Sequence, residues 1–148
     1  MVHLKELIRA GFYNNSAIFR VVPGFVVQFG IAGDPAMNAR FAKAIKDDPP
    51  VGRSNVAGTI SYAMGGPDSR TTQLFVNLAD NSEALDKQGF VPLGLVYQGA
   101  SIGDLAKALN PTPGDPSGID QNKYETLGND WLRANYNNVS WINDISFM

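Results

Sequence analysis

Residues 19–30, Phe19-Arg20-Val21-Val22-Pro23-Gly24-Phe25-Val26-Val27-Gln28-Phe29-Gly30, constrain the fold more than any other stretch. Two short apolar runs flank Pro23-Gly24, a dipeptide that marks a turn. The runs at 17–22 and 25–30 read as strands with little clean alternation, as for a wall with a packed face. Within them stand one guanidinium, Arg20, and one amide, Gln28. A charge in apolar surroundings is costly without partners. Arg20 therefore either pairs with a carboxylate or carbonyl elsewhere in the fold, or points into a cleft.

A second stretch bears on that choice: Gly58-Thr59-Ile60-Ser61-Tyr62-Ala63-Met64-Gly65-Gly66-Pro67-Asp68-Ser69-Arg70-Thr71-Thr72-Gln73-Leu74-Phe75-Val76-Asn77. Together the two resemble the motifs of the cyclophilin family of peptidyl-prolyl cis-trans isomerases. The order and spacing of Phe-x-Arg-Val, Gly-Phe, the following Gln, Gly-Thr-Ile-Ser, Gly-Pro and Gln-x-Phe all match. The likeness is closest to a branch with Gln-Phe-Gly-Ile and Gly-Asp-Pro in the first motif and Arg-Thr-Thr-Gln in the second, and it covers nearly the whole chain.

The resemblance implies a single domain over residues 1–148, mostly β with flanking helices: a cyclophilin-like antiparallel β-barrel, incomplete at its N-terminus. Family members usually carry two strands before the first helix, and the chain as given starts at that helix. An open sheet edge is expected, with a monomer unless that edge pairs.

Along the chain, Leu4, Leu7 and Ile8 put one apolar face on a helix over 2–10, stopped by Gly11. Residues 13–16 read as a polar turn and 36–45 as a short helix. Asp47 and Asp48 open a surface loop over 47–52; with no third ligand at useful spacing it reads as solvated rather than metal-binding. Strands are expected at 58–63, 73–78 and 90–97, with a loop at 81–89. A helix is expected at 101–109, an irregular link at 110–118, a helix over 120–136 loosened at Gly128, and a last strand at 139–147. His3, the lone histidine, is read as a solvated surface residue.

The resemblance also implies the chemistry, rotation about an Xaa-Pro amide, for which no cofactor or metal is expected. The amide barrier is about 18–20 kcal/mol because resonance is lost on twisting. In the twisted state the prolyl nitrogen becomes pyramidal and gains a lone pair. A donor aimed at it favours the twisted over the planar form. Raising a rate of one event per tens of seconds to about ten per second takes roughly 4 kcal/mol.

Arg20 matches the family's essential arginine and Gln28 the glutamine that steadies it. Phe25, Phe75 and Leu85 match the pocket that grips the proline ring, and Gln73 a polar residue of the groove. Ala63 and Met64 match the strand end that contacts the residue before proline. Phe90 stands where many members have a pocket histidine, and keeps an apolar wall. Phe19 also replaces a common histidine, and Met64 a common asparagine. The tryptophan with which many members bind cyclosporin aligns near Ala84, so cyclosporin binding is expected to be weak.

Composition excludes some alternatives. With 44% hydrophobic residues, 18% charged and net charge −2, the chain is ordinary for a soluble protein and has no basic field for nucleic acid or anionic membrane. No apolar run spans a bilayer, no signal-peptide pattern opens the chain, and the compartment is not indicated. With no cysteine, thiol chemistry is excluded. Ser, Asp and the single His form no hydrolase motif. The expected partners are proline-containing peptides or unfolded proteins. Two other readings stand beside the isomerase: a non-catalytic proline-peptide binding module of the same fold, and a fragment completed by a partner's strands.

Overall fold

A computed structural model of the protein describes residues 2–50, 52–96, 102 and 119–146. The hairpin anticipated around Pro23-Gly24 is its centre. Strand β1 (Ser16–Val22) pairs antiparallel with β2 (Val26–Phe29), and Gly24 supplies the positive φ of the turn. Four further strands extend this pair: β3 (Thr59–Tyr62), β4 (Leu74–Asn77), β5 (Pro92–Leu95) and β6 (Ser140–Ile142). Among the described residues the order is β5-β3-β4-β2-β1-β6, every pair is antiparallel, and β5 and β6 end the ladder without closing it. This is the expected incomplete barrel.

Register decides what each face carries. Gln28 lies opposite Phe75, and Phe75 opposite Ser61. One residue along, Phe29 lies opposite Leu74 and Leu74 opposite Tyr62. Side chains alternate between faces, so the Phe29–Leu74–Tyr62 row and the Val76–Ile60 pair turn into the core. The row with Gln28, Phe75 and Ser61 turns to the other face. A register slip between Ile18 and Arg20 leaves Phe19 as an extra residue on β1, and Arg20 then falls opposite Gln28.

The core face is covered by α1 (Val2–Arg9), whose Leu4, Leu7 and Ile8 pack with Phe12 and Tyr13. Helix α2 (Pro35–Arg40) starts where the Asp34 carboxylate accepts from the Ala36 amide at 2.9 Å. It is shorter than the helix expected over 36–45. Phe41 leaves it to meet Phe12 edge-on at 5.6 Å, and the Ile45 amide donates to the Arg70 carbonyl instead of continuing the helix.

Three further expectations need correction. The stretch 81–89 is not a loop: it holds α3 (Ser82–Leu85) and a 3-10 turn over Asp86–Gln88, ended by left-handed Gly89. Asp80 accepts from both the amide and hydroxyl of Ser82, and Glu-Ala-Leu are good helix formers. Asp47 and Asp48 are not merely solvated. Both pair with Arg70, at 3.0 and 2.9 Å, and Arg70 is buried over the Tyr62 ring. His3 is half-buried, with Nε2 2.9 Å from the Thr71 carbonyl oxygen and its ring between Phe41 and Tyr62.

Helix α4 (Gln121–Asn135) packs Tyr124 and Leu132 against Ala17, Phe19 and Ile31 in a second core. It is broken at Gly128, as its glycine suggested. There the Asn129 amide donates to the Gly33 carbonyl, docking the helix on the segment after β2. The strand expected at 90–97 is observed as Pro92–Leu95, and the one at 139–147 as Ser140–Ile142. The helix expected at 101–109 and the irregular link expected at 110–118 lie outside the described residues, Ile102 excepted.

At Gly128 φ is 73° and ψ −162°, and a Cβ would stand 2.5 Å from the Gly33 carbonyl oxygen. Gly128→Ala is therefore expected to destabilise the fold by about 2–3 kcal/mol, read from urea unfolding. A loss below about 0.5 kcal/mol, within the range of neutral surface changes, would show that the break is not held in this geometry.

Candidate functional site

Because β1, β2 and β4 are neighbours, the outward row collects the residues that the sequence singled out. Arg20 is half-buried, and its Nη1 donates to Gln28 Oε1 at 3.2 Å. Gln28 Nε2 in turn donates to Gln73 Oε1 at 2.8 Å, and Gln73 Nε2 reaches Glu125 Oε1 on α4 at 3.4 Å. Each amide oxygen accepts from the group before it, so the orientation of both glutamines is set by the chain of donors. Partial burial pushes the Arg20 pKa down from its ordinary value. A guanidinium remains charged nonetheless, and a less hydrated one is a stronger donor to whatever enters beside it.

Beside Arg20 a cavity of about 190 Å³ opens between the sheet and three surface segments. Its floor is Phe75, which is 5% exposed, with Val26 and Gln28 from β2. Phe25 from the β1–β2 turn, Leu85 from the end of α3 and Phe90 from the segment after the 3-10 turn form its walls. Phe90 meets Phe75 edge-on at 5.5 Å. The Arg20 guanidinium lies 6.0 Å from the Phe25 ring centroid. Ala63 and Met64, just past β3, close the rim.

Eight of the nine residues named from the sequence thus line one cavity. Gln73 lies outside it. It lines a neighbouring groove with Gln28, Ala63, Met64 and Thr71, and joins the cavity through its hydrogen bond to Gln28. Val26 was missed, since a valine in an apolar run reads as core. Its two-residue spacing from Gln28 was the available signal. Glu125 was missed because only the fold brings α4 to the groove. Ala84, on α3, is exposed at the position where the cyclosporin-binding tryptophan was aligned. Among the described residues, no group of three His, Cys, Asp or Glu side chains is placed to hold a metal ion.

Residues 3–118 match the model of the cyclophilin type peptidyl-prolyl cis-trans isomerase/CLD family. The chain belongs to the cyclophilins. It is 34% identical over 112 residues to peptidyl-prolyl cis-trans isomerase B of Escherichia coli, covering 70% of this chain and 68% of that protein. Peptidyl-prolyl cis-trans isomerase A of Dickeya dadantii is 34% identical over 103 residues, covering 67% of this chain and 54% of its own length. The cyclophilin thus spans little more than half of that relative. A Cryptosporidium parvum cyclophilin, crystallised in the presence of the dipeptide Ala-Pro, superposes with a TM-score of 0.61 at 19% identity. The match covers 80% of this chain and 77% of that one, and it concerns the fold. No helix among the described residues is long and apolar enough to cross a membrane.

The Leu85 wall continues into Asp86, whose Oδ1 accepts from Asn55 Nδ2 at 2.7 Å and from the Asn55 amide at 3.0 Å. The Asn55 side chain, first among the causes, holds this carboxyl below its ordinary 3.8, against a smaller desolvation effect that raises it. A carboxyl depressed in the folded state stabilises the fold above its unfolded pKa and loses that contribution as pH falls through the folded value. Wild type is therefore expected to melt above Asp86→Asn at about pH 7, with the gap closing below about pH 3.8. Circular dichroism melts across that range test it, and a gap independent of pH would contradict the assignment.

Proposed function

We propose that this chain catalyses cis-trans rotation about Xaa-Pro peptide bonds, acting on proline-containing peptides and unfolded segments. The observation that carries the proposal is the Arg20–Gln28 pair at the mouth of a cavity walled by Phe25, Phe75 and Phe90. A prolyl ring is apolar and compact, and fits between aromatic walls. The same ring's nitrogen then lies beside the guanidinium.

No bond is made or broken in this reaction, so the donor works on charge that develops during rotation. As the amide twists, the nitrogen lone pair leaves conjugation and becomes an acceptor. Arg20 presents N–H groups already oriented by Gln28, so little reorganisation is needed at the moment of twisting. The guanidinium fork can meet the nitrogen and a peptide carbonyl from one position. The aromatic walls exclude water, which strengthens that hydrogen bond. Backbone groups near Ala63 and Met64 hold the residue before proline, and the groove along Gln73 receives the chain beyond it.

Arg20→Ala is expected to lower kcat/KM for an Ala-Pro peptide by about a hundredfold, the usual scale for losing one preorganised donor. Protease-coupled or NMR exchange kinetics on both proteins measure it. A folded variant within about twofold of wild type would remove Arg20 from the mechanism. A folded wild type that binds the peptide without accelerating its isomerisation would leave a proline-binding module.

A further inference from the structure

The three walls of the cavity share a structural problem. Phe25 follows a turn, Leu85 ends a four-residue helix, and Phe90 follows a 3-10 turn. Leu85 and Phe90 lie outside the sheet ladder, while the Phe25 carbonyl accepts from the Leu78 amide at 2.8 Å at the end of the β2–β4 pairing, so strand pairing alone does not set the distance between the three walls. A line of three asparagine side chains, on the same face as the floor, links them.

Asn81 Nδ2 donates to the Phe25 carbonyl at 2.9 Å and to Asn77 Oδ1 at 2.8 Å. Asn77 Nδ2 donates to Asn55 Oδ1 at 3.2 Å and to Thr59 Oγ1 at 2.9 Å. Asn55 Nδ2 donates to the Phe90 carbonyl at 2.8 Å and to Asp86 Oδ1 at 2.7 Å. The Ser61 hydroxyl supplies a second donor to Asn55 Oδ1 at 2.8 Å. The Leu85 amide donates to the Asn81 carbonyl at 2.9 Å, tying the third wall to the same line.

Asn55, Asn77 and Ser61 are fully buried, and Asn81 is nearly so. Both protons and both lone pairs of the Asn55 amide are used, which is the most an amide can offer. A buried polar network satisfied in this way specifies one geometry, whereas apolar packing of similar stability tolerates several. The network connects the Phe25 carbonyl on one side of the cavity to the Phe90 carbonyl on the other. Arg20 and Gln28 hang from β1 and β2 and take no part in these hydrogen bonds, although the Arg20 guanidinium lies 6.0 Å from the Phe25 ring centroid.

We propose that Asn55, Asn77 and Asn81 are positioning residues that set the width of the cavity, and with it the grip on the prolyl ring. This rests on the reading of the cavity as the prolyl site. Its consequence is a division of labour: the bridge governs binding, and the Arg20–Gln28 pair governs turnover.

Two variants break the bridge at opposite ends. Asn55→Asp is isosteric and puts an oxygen against the Phe90 carbonyl and the Asp86 carboxylate. Asn81→Ala cuts the link from Asn77 to the Phe25 carbonyl, which keeps its bond from the Leu78 amide. Tyr124→Phe serves as a control for stability alone, since it removes hydrogen bonds to the Ala17 amide and Asn129 in the second core. An Ala-Pro-containing peptide is the probe. Its Kd is read by NMR titration, its kcat and KM by exchange kinetics, and each protein's folding by thermal melting.

Both bridge variants are expected to raise Kd and KM by about tenfold with kcat within about threefold of wild type, the pattern of lost uniform binding. Tyr124→Phe is expected to lower the melting temperature and leave Kd and KM within about twofold. Folded bridge variants that keep the wild-type Kd, or that lose kcat at constant KM, would overturn the proposal. If Asn55→Asp does not fold, Asn81→Ala decides alone. A wild type that binds the peptide without isomerising it would sink the proposed activity while the Kd comparison still tests the bridge. A wild type that does not bind it would overturn both.

Discussion

A single cation held on one face of an antiparallel sheet is the feature on which the rest depends. Arg20 stays there because Gln28 lies opposite it across the β1–β2 ladder and accepts its Nη1 hydrogen bond. That pairing requires the register slip at Phe19, which sends the Phe19 ring into the second core while Arg20 faces Gln28. It also requires β4 alongside β2, because Phe75 opposite Gln28 supplies the apolar floor. A one-residue change of register would exchange the two faces, burying Gln28 and exposing Phe29. Core and site are thus alternate rows of the same strands. The packing of Phe29, Leu74 and Tyr62 on α1 fixes the row that carries the candidate site.

What lies outside the sheet is held by polar bonds of long sequence range. Arg70 joins Asp47 and Asp48 and so ties the segment after α2 to the segment before β4. Both carboxylates keep partial contact with solvent, which lessens the desolvation cost of the group. Asn38 joins the Ala32 backbone to the Glu125 carbonyl, and Asn129 joins α4 to Asn15. Loops fixed by such bonds keep their shape with few apolar contacts of their own. That is what a surface cavity requires of its walls.

Much of the site was legible because its residues stand in stretches that resemble the cyclophilin motifs, and the hairpin and the strands bring those stretches together. Arg20 and Gln28 flank one turn, and Gln73 and Phe75 share one face, so local pattern and motif agree. The misses have a common cause. Val26 looks like core because a valine in an apolar run carries no sign of which face it takes. The short helix Ser82–Leu85 spans too few residues to show a period, and the Asp80 carboxylate that accepts from the Ser82 amide and hydroxyl lies just outside it. His3 and Asp47 looked solvated because their partners, Thr71 and Arg70, lie far along the chain. Asn55, Asn77 and Asn81 are spread over three segments, and only the fold brings their amides into line.

On the proposed reading, the cavity beside Arg20 binds a prolyl ring and lowers the barrier to rotation. Two-dimensional NMR exchange spectroscopy on an Ala-Pro peptide with substoichiometric wild-type protein tests it most directly. The expected result is exchange cross-peaks between cis and trans resonances that the free peptide lacks, since its uncatalysed exchange takes tens of seconds or longer. The protein's own Phe75, Phe90 and Met64 signals should shift in the same sample. Absent exchange peaks from a folded protein, or shifts confined to residues far from this cavity, would contradict the claim.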